Sequence, residues 1–344
     1  MSEEQMRKPS ENSRMVYIEI LRIMACFFVI ANHTNYVFEN VVANPVGSSW
    51  GKLIGSTLYL AICKCAVTIF LMISGCLLLP RTDSYKKSLI RVLRIVLVIL
   101  VFSIPYYVIG DFEHSLYNFY LVVGRAQVTT AYWYLYLYLG VLVMMPVLQR
   151  MFSQFKKEDY CYFFLFSLFL CTFSFFTEFN VNFKLPIFVT YIGIVVLGHY
   201  LNQYVNGRKQ WILPLIACIA GLLTILTAYT IYRILVGSDY APALLHYDNI
   251  FYIAIAASVF LLAKICSLQR AGGLGARANA VIVHVGKDTF GIYLVSDFII
   301  HYVRPFFERW NNVLAVIVLD VTVFVIGLIV TEIMKQIPLL KKLL

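Results

Sequence analysis

Glu19, Arg22, Asn32 and His33 stand within one otherwise apolar run, from Tyr17 to His33. An ionisable group inside a membrane helix costs about 2.5 kcal/mol or more, so such groups usually face the bundle interior and mark function. Glu19 and Arg22 are three positions apart, share a helix face and can pair. Arg22 and His33 are eleven apart; at roughly 100° per residue they also share a face, with their backbones about 16 Å apart along the axis. They cannot touch, but they can line the two ends of one polar path. The chemistry on offer is acid–base. A His held in such a place can take up or give a proton near neutral pH.

Other residues could join this site. Arg91 and Arg94 are three apart at the start of an apolar run, hence on one face. They either anchor the membrane interface or grip a phosphate or diphosphate, for which the guanidinium fork is suited. Ser74-Gly75 closes another apolar run and suits close backbone packing. Trp133, Tyr134, Tyr136 and Tyr138 form an aromatic group of the kind found in interfacial belts. Asp297 falls deep inside or at the far end of a span and calls for a partner there. Lys287 and Asp288 fall near an interface, as do His114, His199, His246, His284 and His301. Cys63-Lys64-Cys65 lacks His or Cys partners at metal-ligand spacing, so its thiols read as ordinary buried ones and no metal is expected. The Gly272-Gly273-Leu274-Gly275 stretch lacks both the preceding strand and the Lys-Ser/Thr of a phosphate loop, and reads as a linker.

The elements that must position these residues are membrane helices. The 344-residue chain is 61% hydrophobic and 13% charged, with mean hydropathy +0.79. A soluble domain carries about 25% charged residues. Ten apolar spans of about 20 residues are expected, near 15–38, 53–79, 89–110, 132–150, 160–177, 186–205, 211–235, 247–266, 279–302 and 312–334. The net charge of +10 sits in short clusters between spans. That is the positive-inside pattern rather than a nucleic-acid footprint, so no nucleic-acid partner is expected. Arg7, Lys8, Arg14, Arg81, Lys86, Lys87, Arg91, Arg94, Arg150, Lys156, Lys157, Arg208, Lys209, Lys264, Arg270, Arg277, Lys335, Lys341 and Lys342 fall on one side of that alternation. Only Lys52, Arg125, Lys184, Arg304 and Arg309 fall on the other. The expected fold class is therefore an all-α polytopic membrane protein of about ten transmembrane helices with both termini cytoplasmic. Residues 1–14 form a cytoplasmic tail without a cleavable signal peptide, 15–336 a single membrane domain and 337–344 a second tail.

In this arrangement the chain resembles the acyltransferase-3 family, integral membrane enzymes that acylate bacterial surface polysaccharides and related glycans. The resemblance rests on Arg22 and His33 in the first helix with Tyr17 and Glu19 before them. It continues through Phe70, Ser74-Gly75, Arg91/Arg94, Trp133-Tyr134 with Pro146, Tyr191-Ile192-Gly193 with Gly198, and Phe290-Gly291-Ile292-Tyr293-Leu294. One position departs: where the family often has His after the Ile-Tyr-Leu run, this chain has Ser296, followed by Asp297. The resemblance implies transfer of an acyl group, most often acetyl, from cytoplasmic acyl-CoA to a sugar hydroxyl at the outer face of a bacterial cytoplasmic membrane. It makes Arg22 and His33 the essential pair, with Glu19 supporting Arg22. It places Arg91 and Arg94, together with Arg22 and Ser74, toward the donor acetyl-CoA. Trp133, Tyr134, Asp297, Tyr293 and Asn32 are the substrate-binding candidates. The expected partners are acyl-CoA, a glycan or lipid-linked saccharide acceptor, membrane lipid and a second copy in a homodimer. The competing class is a transporter or flippase for a lipid-linked glycan or small solute, which ten helices with intramembrane charges would also fit.

Overall fold

The structure, a computed structural model, describes residues 11–177, 185–237, 247, 249–269 and 275–344. Arg7, Lys8, Lys184, His246, Arg270 and positions 272–274 of the glycine-rich linker lie outside the described residues. Every regular element among the described residues is helical. Fourteen α-helices run in order: α1 Glu11–Thr34, α2 Tyr36–Ala43, α3 Trp50–Cys63, α4 Ala66–Leu78, α5 Tyr85–Ile109, α6 Leu116–Gly124, α7 Trp133–Phe152, α8 Lys157–Thr177, α9 Leu185–Gln203, α10 Ile212–Leu235, α11 Ile250–Gln269, α12 Ala276–Phe307, α13 Val313–Met334 and α14 Pro338–Leu343.

Among the described residues, seven stretches are long and apolar enough to cross a membrane: Val16–Ala43, Trp50–Leu78, Tyr85–Ile109, Thr130–Phe152, Lys209–Leu235, Ile250–Ser267 and Val313–Met334. The other three expected spans fall on α8, α9 and α12, which are helices but not among those seven. In α12 the charges Lys287, Asp288 and Asp297 interrupt the apolar run. On α13, Leu314, Val318, Val321, Val325, Ile329 and Ile333 are all exposed, recurring every three or four residues. That is a continuous apolar stripe on the outside of the protein, suited to lipid and not to water.

Two expected spans are broken. The first divides at Asn35, whose Oδ1 caps α2 by accepting from the Phe38 N–H at 3.2 Å while its Nδ2 donates to the Ser56 carbonyl at 3.1 Å. The second divides at Lys64-Cys65, between α3 and α4. The connection expected at 111–131 contains α6.

α1 is the central helix. It packs against α3, α4, α11, α12 and α13, with Leu21, Ala25, Cys26 and Ile30 fully buried. Glycines let the surrounding backbones meet. A Cβ on Gly75 of α4 would stand 1.7 Å from the Val195 carbonyl oxygen of α9, and one on Gly198 of α9 would stand 2.1 Å from that of Met72. The packing role of the Ser74-Gly75 pair is thus Gly75's. Gly286 does the same for α12 against Glu19 of α1, where a Cβ would come within 2.4 Å of Oε2.

Candidate active site

In the N-terminal half of α1, one Arg22 guanidinium nitrogen donates to both oxygens of Glu19, at 2.8 and 3.1 Å. The Glu19 carboxylate is buried and the Arg22 side chain is 29% exposed, so the cation keeps an open edge. Tyr138 of α7 lies within the fields of Arg22, Arg91 and Arg94 together. Cations from two separate stretches of sequence thus act on one phenol. Ser74 stands beside the hydroxyls of Tyr138 and Tyr134 and donates to the Phe70 carbonyl at 2.8 Å.

From Tyr138 a column of rings runs inward. Tyr138 and Tyr134 stack at 6.0 Å and 16°, and Tyr134 meets Tyr293 of α12 edge-on at 6.3 Å. The Tyr293 hydroxyl donates to the Ala131 carbonyl at 2.6 Å, which fixes its ring between α7 and α12. One turn on along α12 is Asp297.

Asp297 accepts from the Thr129 hydroxyl. Its field reaches Tyr106, Tyr132, Tyr293 and His33. The helix around it is pinned by two phenols. Tyr106 is inserted into the ladder, accepting from the Phe298 N–H at 3.0 Å and donating to the Leu294 carbonyl at 3.1 Å, and Tyr132 donates to the same carbonyl at 2.8 Å. A side chain inserted into an i→i−4 bond is a recognised cause of local helix distortion. It holds Asp297 in place here. His33 is partly buried, and the charged groups acting on it are Asp297 and Lys64. The fields of a carboxylate and of an ammonium both reach the imidazole. Asn32 beside it donates to the carbonyls of Phe28 and Cys63, both at 2.9 Å, which makes it a strut; its Oδ1 is buried without a hydrogen-bond partner among the described residues. Trp133 stacks on Tyr247 at 4.9 Å, on the side of α7 toward Lys64.

Two site residues were missed by sequence reasoning, Lys64 and Asp320. Both are lone charges in apolar runs, which was the available signal. Asp320 of α13 is fully buried and accepts from the hydroxyls of Thr34 and Tyr59, tying the residue after His33 to α3 and α13. Replacing Asp320 with Ala leaves the Tyr59 hydroxyl without its acceptor. The expected loss is about 2 kcal/mol of stability, read as a lower melting temperature of the detergent-solubilised protein; an unchanged melting temperature would show that these bonds contribute nothing.

Arg91 and Arg94 already have partners. Arg91 pairs with Asp83 at 2.5 Å, and Lys87 joins the same carboxylate at 2.9 Å. The Arg91 N–H bond, followed by Lys87 and Gln149, holds the Asp83 carboxyl well below the usual carboxylate range. The triad keeps one net positive charge. Arg94 donates twice to the Leu343 carbonyl of α14, at 3.2 and 3.0 Å, so its charge is not neutralised there. Elsewhere, His284, Asp288 and Glu332 bring ligand-type atoms within 4.8 Å of one another. Lys335 bonds both carboxylates, to Glu332 at 3.1 Å, and stands where a cation would.

The acyltransferase-3 family model, described as an acyltransferase domain, matches residues 15–332. No curated protein matches the chain, and no solved structure does.

Proposed function

The chain belongs to the acyltransferase-3 family, and from that premise we propose that it transfers an acyl group, most often acetyl, from cytoplasmic acyl-CoA to a hydroxyl of a cell-surface or lipid-linked glycan. One observation carries the reading. A column of aromatic side chains, Tyr138, Tyr134 and Tyr293, runs from within the field of Arg22 to one helical turn short of Asp297, whose field reaches His33. A donor with a phosphate-bearing head and a long thin arm would lie alongside this column. Acyl-CoA cannot cross lipid, and the excess of Lys and Arg beside the Arg91 end marks that end as cytoplasmic. Arg91, Arg94 and Arg22 then meet the phosphates and the upper arm, with Ser74 beside them.

His33 is the general base at the other end. Asp297 orients its ring and balances the charge the ring gains, the role a carboxylate plays beside a catalytic imidazole. This reading puts Asp297 where the family often has His one position earlier, a place held here by Ser296. Ser296 itself is buried and donates back to the Tyr293 carbonyl at 2.9 Å. Trp133, half-buried, offers the sugar the ring face that is not stacked on Tyr247. Both termini are cytoplasmic and the membrane is a bacterial cytoplasmic one.

The test uses the full chain in lipid nanodiscs with labelled acetyl-CoA and a lipid-linked glycan fraction. The expected result is release of CoA thiol and label in the glycan. Arg91→Ala is expected to raise the Kd for acetyl-CoA about tenfold, equivalent to about 1.4 kcal/mol; an unchanged Kd removes the phosphate role from Arg91. Glycan moving across a sealed vesicle with no thiol released from any acyl-CoA would replace the enzyme with a transporter.

A further inference from the structure

Midway along Trp50–Leu78 the helical ladder is interrupted at Lys64 and Cys65, both of which keep right-handed φ/ψ. The carbonyls beside the break are satisfied internally. The Cys65 thiol donates to Ile62 at 3.1 Å, and the Asn32 amide donates to Cys63 at 2.9 Å. Asn32 precedes His33, so the bond that closes the break also fixes the break beside His33. Non-helical backbone at membrane depth is tolerated only where it is buried in protein or lines a cavity.

The Lys64 ammonium is held here by an aromatic face, 4.8 Å from the centroid of Tyr247. Among the described residues no carboxylate, carbonyl or hydroxyl accepts from it. The other interior lysines differ. Lys264 donates to the carbonyls of Leu201, Asn202 and Val205 at 2.9, 2.7 and 2.6 Å, and Lys335 holds two carboxylates. Intramembrane charges pair with one another or with carbonyls. A cation–π contact orients an ammonium without neutralising it. Lys64 is therefore preset for a negative charge that is not part of the resting protein.

Acyl transfer at His33 creates one such charge. The acceptor oxygen bonds to the thioester carbon, the carbonyl π pair moves onto oxygen, and His33 takes the hydroxyl proton. The intermediate then collapses: the C–S bond breaks, the carbonyl re-forms, and the CoA thiolate recovers the proton from His33. Asp297 has the wrong sign to meet the alkoxide, and Arg22 lies about 16 Å away along α1. We infer that Lys64 is the oxyanion-stabilising residue, donating from the helix break to the alkoxide formed beside His33. This rests on the acyl-transfer reading of the site.

The experiment compares wild type, Lys64→Met and Lys64→Arg, all full-length in nanodiscs, in the labelled-acetyl assay. Lys64→Met is expected to lower kcat about 10²–10³-fold, the size seen when one oxyanion donor is removed. The KM for acetyl-CoA stays within about twofold, because the contact exists only in the transition state. Lys64→Arg is expected to recover a substantial part of the loss. Lys64→Gln replaces the Met variant if that one does not accumulate, with the same fall in kcat expected. A kcat near wild type overturns the inference, as does a loss carried wholly by a raised acceptor KM, which would make Lys64 an acceptor-binding group. If wild type releases no thiol from any acyl-CoA, the acyl-transfer reading itself has failed, a result separate from any difference among the variants.

Discussion

His33→Ala is expected to lower acetyl transfer about 10²–10⁴-fold, the usual contribution of a positioned general base. Acetyl-CoA affinity is expected to stay at the wild-type value, because the groups assigned to the nucleotide lie at the other end of the ring column. Isothermal titration with acetyl-CoA and mass spectrometry of the glycan separate the two quantities. Removing the imidazole leaves Asp297 with Thr129, and leaves Asn32 still bonded to Phe28 and Cys63, so the fold around the site keeps its hydrogen bonds. The loss would therefore be chemical rather than structural. Transfer at the wild-type rate would remove His33 from the mechanism and leave Asp297 as the candidate base.

The second large effect is on folding. Gly75→Ala adds one methyl group, at a position 1.7 Å from the Val195 carbonyl oxygen, 2.6 Å from its carbon and 3.1 Å from its Cα. The obstacle is backbone, so no rotamer change relieves it, and α4 and α9 must separate. Overpacking costs about 3 kcal/mol when the neighbours cannot yield, a large share of a total stability of about 5–15 kcal/mol. The expected outcome is loss of the monodisperse peak in size-exclusion chromatography. Gly140→Ala and Gly221→Ala are the controls, since neither Cβ would meet anything within 4 Å, and both are expected to run as wild type. A normal Gly75→Ala peak would mean that α4 and α9 do not meet at this distance.

Much of this architecture was legible in the sequence because membrane helices leave a strong one-dimensional signal. Apolar length located the helices, and a three-residue spacing brought Glu19 to Arg22. The breaks were not legible. The Asn35 amide donates to the Ser56 carbonyl and the Asn32 amide to that of Cys63, so both interruptions lean on partners 21 and 31 residues away. Local pattern carries no record of such partners. Lys64 was hidden for a related reason: its neighbours Cys63 and Cys65 invite a question about metal, whereas its actual setting is the ring of Tyr247, far along the chain. Arg91 shows the opposite limit. Its type and spacing suit phosphate, but the carboxylate it already holds, Asp83, lies before the start of α5.

The broken span also constrains how the protein is made. α3 and α4 have 14 and 13 residues, about 21 and 20 Å of helix, against a hydrocarbon core of about 30 Å. Neither piece bridges the bilayer alone, and together they do so only when the carbonyls at the junction are satisfied. The amide that satisfies Cys63 belongs to α1, which leaves the ribosome first. Asn32 is thus synthesised before the carbonyl it serves. The order of the chain is also the order in which its insertion can succeed, and the helix that carries the base acts as the template on which the next span is completed.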